Sequence, residues 1–169
     1  MTNDEDDEAP PWETDPQWLF HRKIHRLIRD DRYDEAKLAI EEMRKEFPHL
    51  EPHDFLPFHA SIEQRLGNPE TAIRILQQAV EEGPDRISHH HLLGWDLMKA
   101  ERWAEADHAF QKVIALSLAT DDTYYLNDAR YRRALCLKAL GRREELQKVK
   151  AELPENFYND WLYRIEDVS

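Results

Sequence analysis

Nine histidines are the residues of this 169-residue chain best suited to metal ligation or proton transfer. His21 and His25 are four residues apart, the spacing that puts two side chains on one helical face, whereas His89, His90 and His91 are consecutive. Consecutive helical residues point in different directions, and no cysteine or carboxylate completes either group at a recognised ligand spacing, so no metal ligand is assigned. The sequence holds no Gly-rich phosphate loop, no His-Glu-x-x-His and no Gly-x-Ser-x-Gly elbow. Carboxylates are too abundant for a catalytic pair to be singled out. Cys136 is the one cysteine and lies in the apolar run Ala134-Leu135-Cys136-Leu137, which predicts a buried, unreactive thiol. The expectation is a protein that is not an enzyme, with no catalytic residue and no cofactor.

The elements that must position these residues are helices. Ala72, Ile73, Leu76, Ala79 and Val80 follow a helical period, as do Ala106, Ala109, Phe110, Val113 and Ile114. Each run begins just after a turn-like segment: Leu66-Gly67-Asn68-Pro69-Glu70-Thr71-Ala72-Ile73 has a counterpart in Leu140-Gly141-Arg142-Arg143-Glu144-Glu145-Leu146-Gln147. Asp31-Arg32-Tyr33-Asp34-Glu35-Ala36 and Glu101-Arg102-Trp103-Ala104-Glu105-Ala106 fill the same role. With Ala36, Ala72, Ala106 and Leu146 taken as equivalent, the intervals are 36, 34 and 40 residues. Small Ala60, Gly94 and Ala134 stand twelve residues before their anchors, and Pro48 and Pro84 twelve after theirs.

In these residues the chain resembles the tetratricopeptide repeat (TPR) family, whose period is about 34 residues. The resemblance implies an all-α, TPR-like right-handed superhelix of about four antiparallel helical hairpins, at roughly 17–50, 53–86, 87–120 and 124–153. One hairpin cannot bury its apolar stripe alone, so hairpins stack and share a core. Phe157, Trp161, Leu162 and Ile165 after Pro154 predict an amphipathic capping helix over 155–167. Several positions depart from the family pattern: Lys23, His90, Arg130 and Arg133 stand where bulky apolar residues are usual, and Glu63 replaces an aromatic. The long third interval predicts an extended loop or helix end around Ala119 to Thr123.

A stack of this kind implies a concave groove lined by the first helix of each hairpin. The partner-binding residues expected there are His21, His25, Ser61, Gln64, His91, Trp95, Met98, Tyr131 and Lys138, with Trp18, Ile28 and Leu135 in the same register. A register shifted by one position would instead put Trp95, Met98 and Leu135 in the core. Some family members hold a C-terminal carboxylate with Asn and Lys or Arg, but the corresponding positions here are His25, Ser61, Trp95 and Leu135. That clamp is missing.

Charge narrows the partner. The net charge is −12, and residues 1–16 carry Asp4, Glu5, Asp6, Asp7, Glu8, Glu13 and Asp15 with no Lys or Arg, leaving −5 for the rest. Such a segment, interrupted by Pro10, Pro11 and Pro16, is expected to be a disordered acidic tail before a single folded domain over 17–169. The acidity argues against nucleic acid, whose binding needs neutralising cations. No secretory leader and no apolar run long enough for a membrane span is present, so neither membrane nor secretion is expected, and the cytoplasm is. The one dense basic run is His21-Arg22-Lys23-Ile24-His25-Arg26-Leu27-Ile28-Arg29: a solvated face, or a contact for the acidic tail. The expected function is a protein-protein interaction module, an adaptor or assembly scaffold holding a partner protein or peptide in the groove. The alternative is a cytosolic inhibitor or immunity protein that covers the basic site of a toxin.

Overall fold

The computed structural model describes residues 14–154. They form eight α-helices and no strand: α1 (Pro16–Arg29), α2 (Tyr33–Glu46), α3 (Leu56–Arg65), α4 (Pro69–Glu82), α5 (Ile87–Lys99), α6 (Trp103–Thr120), α7 (Leu126–Ala139) and α8 (Arg143–Ala151), with a 3-10 turn at Pro52–Phe55. Consecutive helices pack pairwise as four hairpins. The expected capping helix over 155–167 and residues 1–13 of the expected tail lie outside the described residues, while Asp15 and Pro16 begin the first helix. Asp15 caps α1 by accepting the Trp18 backbone N–H at 2.9 Å, and Pro16 supplies the fixed φ favoured at a helix start.

The four turns inside the hairpins are built alike. Asp31, Gly67, Glu101 and Gly141 each adopt a left-handed conformation, with φ of 59°, 81°, 58° and 69°. The next residue's N–H then reaches the carbonyl five positions back: Arg32 to Leu27, Asn68 to Glu63, Arg102 to Leu97 and Arg142 to Leu137, at 2.9 to 3.0 Å. This closure satisfies carbonyls that a helix end leaves unpaired. In three of the turns the arginine also folds over the new helix and grips the glutamate three residues on, giving the forked pairs Arg32–Glu35, Arg102–Glu105 and Arg142–Glu145. In the second hairpin Asn68 donates instead to Glu63.

Behind each turn the anchors Ala36, Ala72, Ala106 and Leu146 are buried. At Gly94 an added Cβ would lie 2.9 Å from the Phe110 ring, so glycine sets the spacing of α5 and α6. The core runs in three adjoining sections. Ile24, Ile40, Met43, Phe55, Phe58 and Ile62 fill the first, Ile73, Leu76, Leu97, Phe110, Val113 and Cys136 the second, and Tyr131, Ala134, Leu137, Leu146 and Val149 the last. Each fully buried large apolar side chain contributes about 1.5–3 kcal/mol relative to exposure. The long third interval resolves as helix: α6 has 18 residues against 14 in α4, and ends at left-handed Asp121.

Polar residues at apolar positions are matched by partners across the hairpins. Lys23 pairs with Glu42 at 2.8 Å, the His90 ring bonds the Pro84 carbonyl at 2.8 Å, and Arg130 reaches Glu152 at 3.3 Å. Arg133 and Arg142 both donate to Asp107, at 2.9 and 2.7 Å, and this carboxylate is 2% exposed. A buried charge of that kind is tolerated because it is paired and hydrogen-bonded.

Candidate functional site

Three adjoining clefts run along the inner face formed by α1, α3 and α5, and His25 borders all of them. The largest, about 1140 Å³, lies between α1 and the loop joining α6 to α7, where Tyr124 and Tyr125 face Trp18, Arg22, Arg26 and Arg29. A second, about 310 Å³, is bordered by His25, Ser61, Gln64, Leu92, Trp95 and Lys99. A third, about 430 Å³, joins His21, Phe58, Ser61, Leu92 and Tyr125. Amphipathic helices carry this surface: the buried stripe Ile24, Leu27 and Ile28 of α1 fixes which of its residues turn inward.

The imidazoles of His21 and His25 rest on the Phe58 ring, with centroids 4.9 and 5.3 Å away. Burial holds both below the ordinary histidine value, and His21 is lowered further by repulsion from His25. Trp95 is half-buried, and two cations lie over its ring. The Arg132 guanidinium sits 3.8 Å from its ring centroid and the Lys99 ammonium 5.0 Å from it. Arg132 is fixed by Asp128, which also accepts a 2.6 Å hydrogen bond from His91. Burial pushes the Asp128 carboxyl upward, but hydrogen bonds from His91 and Arg132 outweigh it and leave the group below its usual range. The His91 ring lies 4.5 Å from Tyr125. A continuous chain, Trp95–Arg132–Asp128–His91–Tyr125, thus ties the floor of the second cleft to the wall of the first.

Of the residues expected in the groove, His21, His25, Ser61, Gln64 and Trp95 come together around these clefts. His91 stands behind them, engaged with Asp128. Two expectations need correction. Tyr131 is wholly enclosed and Met98 is 8% exposed, so both belong to the core. The stripe α7 buries includes Ala134 and Leu137 as well as Tyr131, which turns the tyrosine away from the groove. Lys138 is exposed on α7 but borders none of the three clefts.

The cationic side chains of α1 and the tyrosine pair were not among the expected groove residues. The α1 set was within reach, since positions 18, 22, 25 and 29 follow a helical face. Tyr124 and Tyr125 were not, because their approach to α1 depends on how the stack curves over four hairpins.

The histidine run diverges as consecutive helical residues must: His89 bonds the Ala79 carbonyl, His90 that of Pro84, and His91 Asp128. Among the described residues no group of three or more His, Cys, Asp or Glu is arranged to hold a metal. Burial, and next to it the Asp107 carboxylate, pushes the Cys136 thiol up to about 12, leaving it protonated and unreactive at neutral pH. Among the described residues no helix is long and apolar enough to cross a membrane.

No protein-family model matches the sequence, and no curated protein does. Solved structures do resemble it in fold. Nearly identical TPR-like repeats described as kinesin light chain from Podosopora anserina superpose with a TM-score of 0.60 at 18% identity, covering 95% of this chain and 84% of theirs. Their Q17M variant also gives 0.60 at 18% identity, over 86% and 74% of the two chains. MamA MSR-1 gives 0.55 at 18% identity, over 79% and 72%. At this identity the likeness concerns architecture, and the architecture is a TPR-like helical repeat.

Proposed function

We propose that this TPR-like repeat chain is a protein-interaction module that holds a segment of a partner protein against the inner face of α1, α3 and α5, as an adaptor or assembly scaffold. The observation that carries the reading is Trp95, a half-exposed indole with Arg132 and Lys99 over its ring, beside His25, Ser61 and Gln64. A large aromatic surface locked before binding costs little entropy to use, which is the property of residues that dominate binding energy at interfaces. The clefts are open and mixed in polarity, which suits an extended peptide or a projecting loop better than an enclosed small molecule. The inhibitor alternative gains no support from the groove. A surface that covers a basic toxin site should be acidic, and among the described residues the largest cleft is lined by Arg22, Arg26 and Arg29 with Asp15 as its one carboxylate.

Affinity capture from native lysate, read by quantitative mass spectrometry, tests the proposal. The wild type is compared with a folded His25→Ala, Trp95→Ala variant and with Leu38→Ser, a change at an exposed α2 residue away from the clefts. A partner retained by Leu38→Ser and lost by the groove variant supports it. Equal retention by both, or loss by Leu38→Ser alone, overturns it.

A further inference from the structure

The strip of α1 that borders the largest cleft gathers three arginines, Arg22, Arg26 and Arg29, on one face. Several arginines elsewhere are paired, Arg32 with Glu35, Arg65 with Asp31, Arg102 with Glu105 and Arg142 with Glu145, whereas Arg44, Arg74 and Arg143 stand singly on other helices. Arg22 and Arg26 have no carboxylate partner among the described residues, and Arg22 instead lies 5.2 Å from the Trp18 ring. Together with Arg29 they face Tyr124 and Tyr125 across the cleft. Arg29 pairs with Asp30 at 3.4 Å and Asp15 stands on the rim, so among the described residues this cationic and aromatic surface of a chain of net charge −12 is only partly neutralised.

Further negative charge is present in the sequence and attached at the right place. The chain enters α1 through Asp15, on the rim of this cleft. Upstream lie Asp4, Glu5, Asp6, Asp7 and Glu8, with Trp12 and Glu13 between them and the helix. At about 1.5 Å per residue along a helix, Arg22 and Arg26 stand roughly 10 and 17 Å from Asp15. Seven to eleven residues of extended chain span up to roughly 23–40 Å, so the acidic run can turn back and lie beside both arginines. A short tether of this kind gives an effective concentration on the order of millimolar, enough to populate a contact that would be weak between separate molecules.

We propose that the acidic segment Asp4–Glu8 docks in cis on the Arg22, Arg26 and Arg29 strip of α1 and occupies the cationic end of the groove until a partner displaces it. The contact is detectable without any partner, so it stands or falls separately from the function proposed above.

The test is paramagnetic relaxation in the full chain. A nitroxide is placed on Thr2→Cys, Cys136 being buried and protonated, and backbone amide intensities are followed by NMR. At low salt the amides of residues 22–29 and 124–125 should broaden while those of α8 do not. Docking should weaken about tenfold between 50 and 500 mM salt, because screening contracts from roughly 14 Å to 4 Å. It should disappear in Arg22→Gln, Arg26→Gln, Arg29→Gln, and equally in Asp4→Asn, Glu5→Gln, Asp6→Asn, Asp7→Asn, Glu8→Gln, which leaves every described residue untouched. Broadening confined to the first turn of α1, or unchanged by salt or by either variant, overturns the proposal. So does broadening that appears only between a spin-labelled chain and a separate isotope-labelled one, since that contact would be between copies.

Discussion

Replacing Asp107 by alanine should loosen the fourth hairpin, and Cys136 offers a way to see it. The Asp107 carboxylate is buried on α6 and holds Arg133 of α7, Arg142 at the start of α8, and the Gln111 amide at 2.9 Å. Breaking a fully buried ion pair by removing one partner costs about 3–5 kcal/mol. Arg133 is 20% exposed and Arg142 39%, and Arg142 keeps Glu145, so solvent recovers part of that loss. About 2–3 kcal/mol remains. Cys136 faces the same core and reacts with a thiol reagent only when α7 and α8 open. At 1.4 kcal/mol per factor of ten, labelling under native conditions should be roughly 30- to 150-fold faster than in the wild type. Removing the neighbouring negative charge also lowers the folded thiol's pKa, but that form is shielded, and the opened form has lost the neighbour in both proteins. An acceleration below about threefold would refute the assignment of Asp107 as the fastener of the last two helices. The same result with a urea midpoint shifted by the full 2–3 kcal/mol would instead locate its effect in the global fold.

The turn residues give an opposite sign. Glu101 is left-handed and makes no side-chain hydrogen bond or ion pair among the described residues, so Glu101→Gly relieves about 1–2 kcal/mol of steric cost against about 0.5–1 kcal/mol of added chain entropy. Urea denaturation should show a net gain of about 0.5–1 kcal/mol, and Asp31→Gly less, because Asp31 accepts hydrogen bonds from Tyr33 and Arg65. Histidines set the mild-acid response. Burial lowers His21, His25, His59, His89 and His90 in the folded state, so below about pH 6.5 the unfolded chain binds more protons. Their contribution is complete above that pH and is lost as pH falls toward the lowered folded values. The denaturation midpoint at pH 5.5 should lie below that at pH 7.5, with a smaller gap in His25→Gln, His59→Gln; equal midpoints would contradict the burial assigned to these rings.

The repeat was legible because it is local. A left-handed residue, a helix start and a small residue twelve positions before an anchor all fall within one hairpin, where chain neighbours decide the geometry. Polar residues at apolar positions were harder to place. Lys23, Arg130 and Arg133 find partners on the companion helix of their own hairpin or just beyond it, and Arg133 reaches Asp107 in the preceding hairpin, a distance of 26 residues. Tyr131 shows the limit of helical register: a shift of one position turns a residue by about 100°, which separates a groove wall from a core. Tyr125 belongs to a further class, since its approach to His21 and His25 depends on curvature accumulated over the stack.

The two proposals also constrain each other through salt. A partner attracted to the α1 strip must itself be acidic, yet at long range the chain's net −12 repels such a partner. Added salt therefore speeds approach while weakening the bound contact. With Asp4–Glu8 docked, the strip is already neutralised, and an acidic partner exchanges one set of carboxylates for another. The ion pairs then nearly cancel, and net affinity falls to what the acidic segment lacks: side chains able to reach Trp95 and fill the second cleft. Binding that competes with Asp4–Glu8 should consequently be discriminated by apolar and aromatic content at Trp95 more than by the number of acids, with charge choosing where the segment lies and the indole choosing which segment stays.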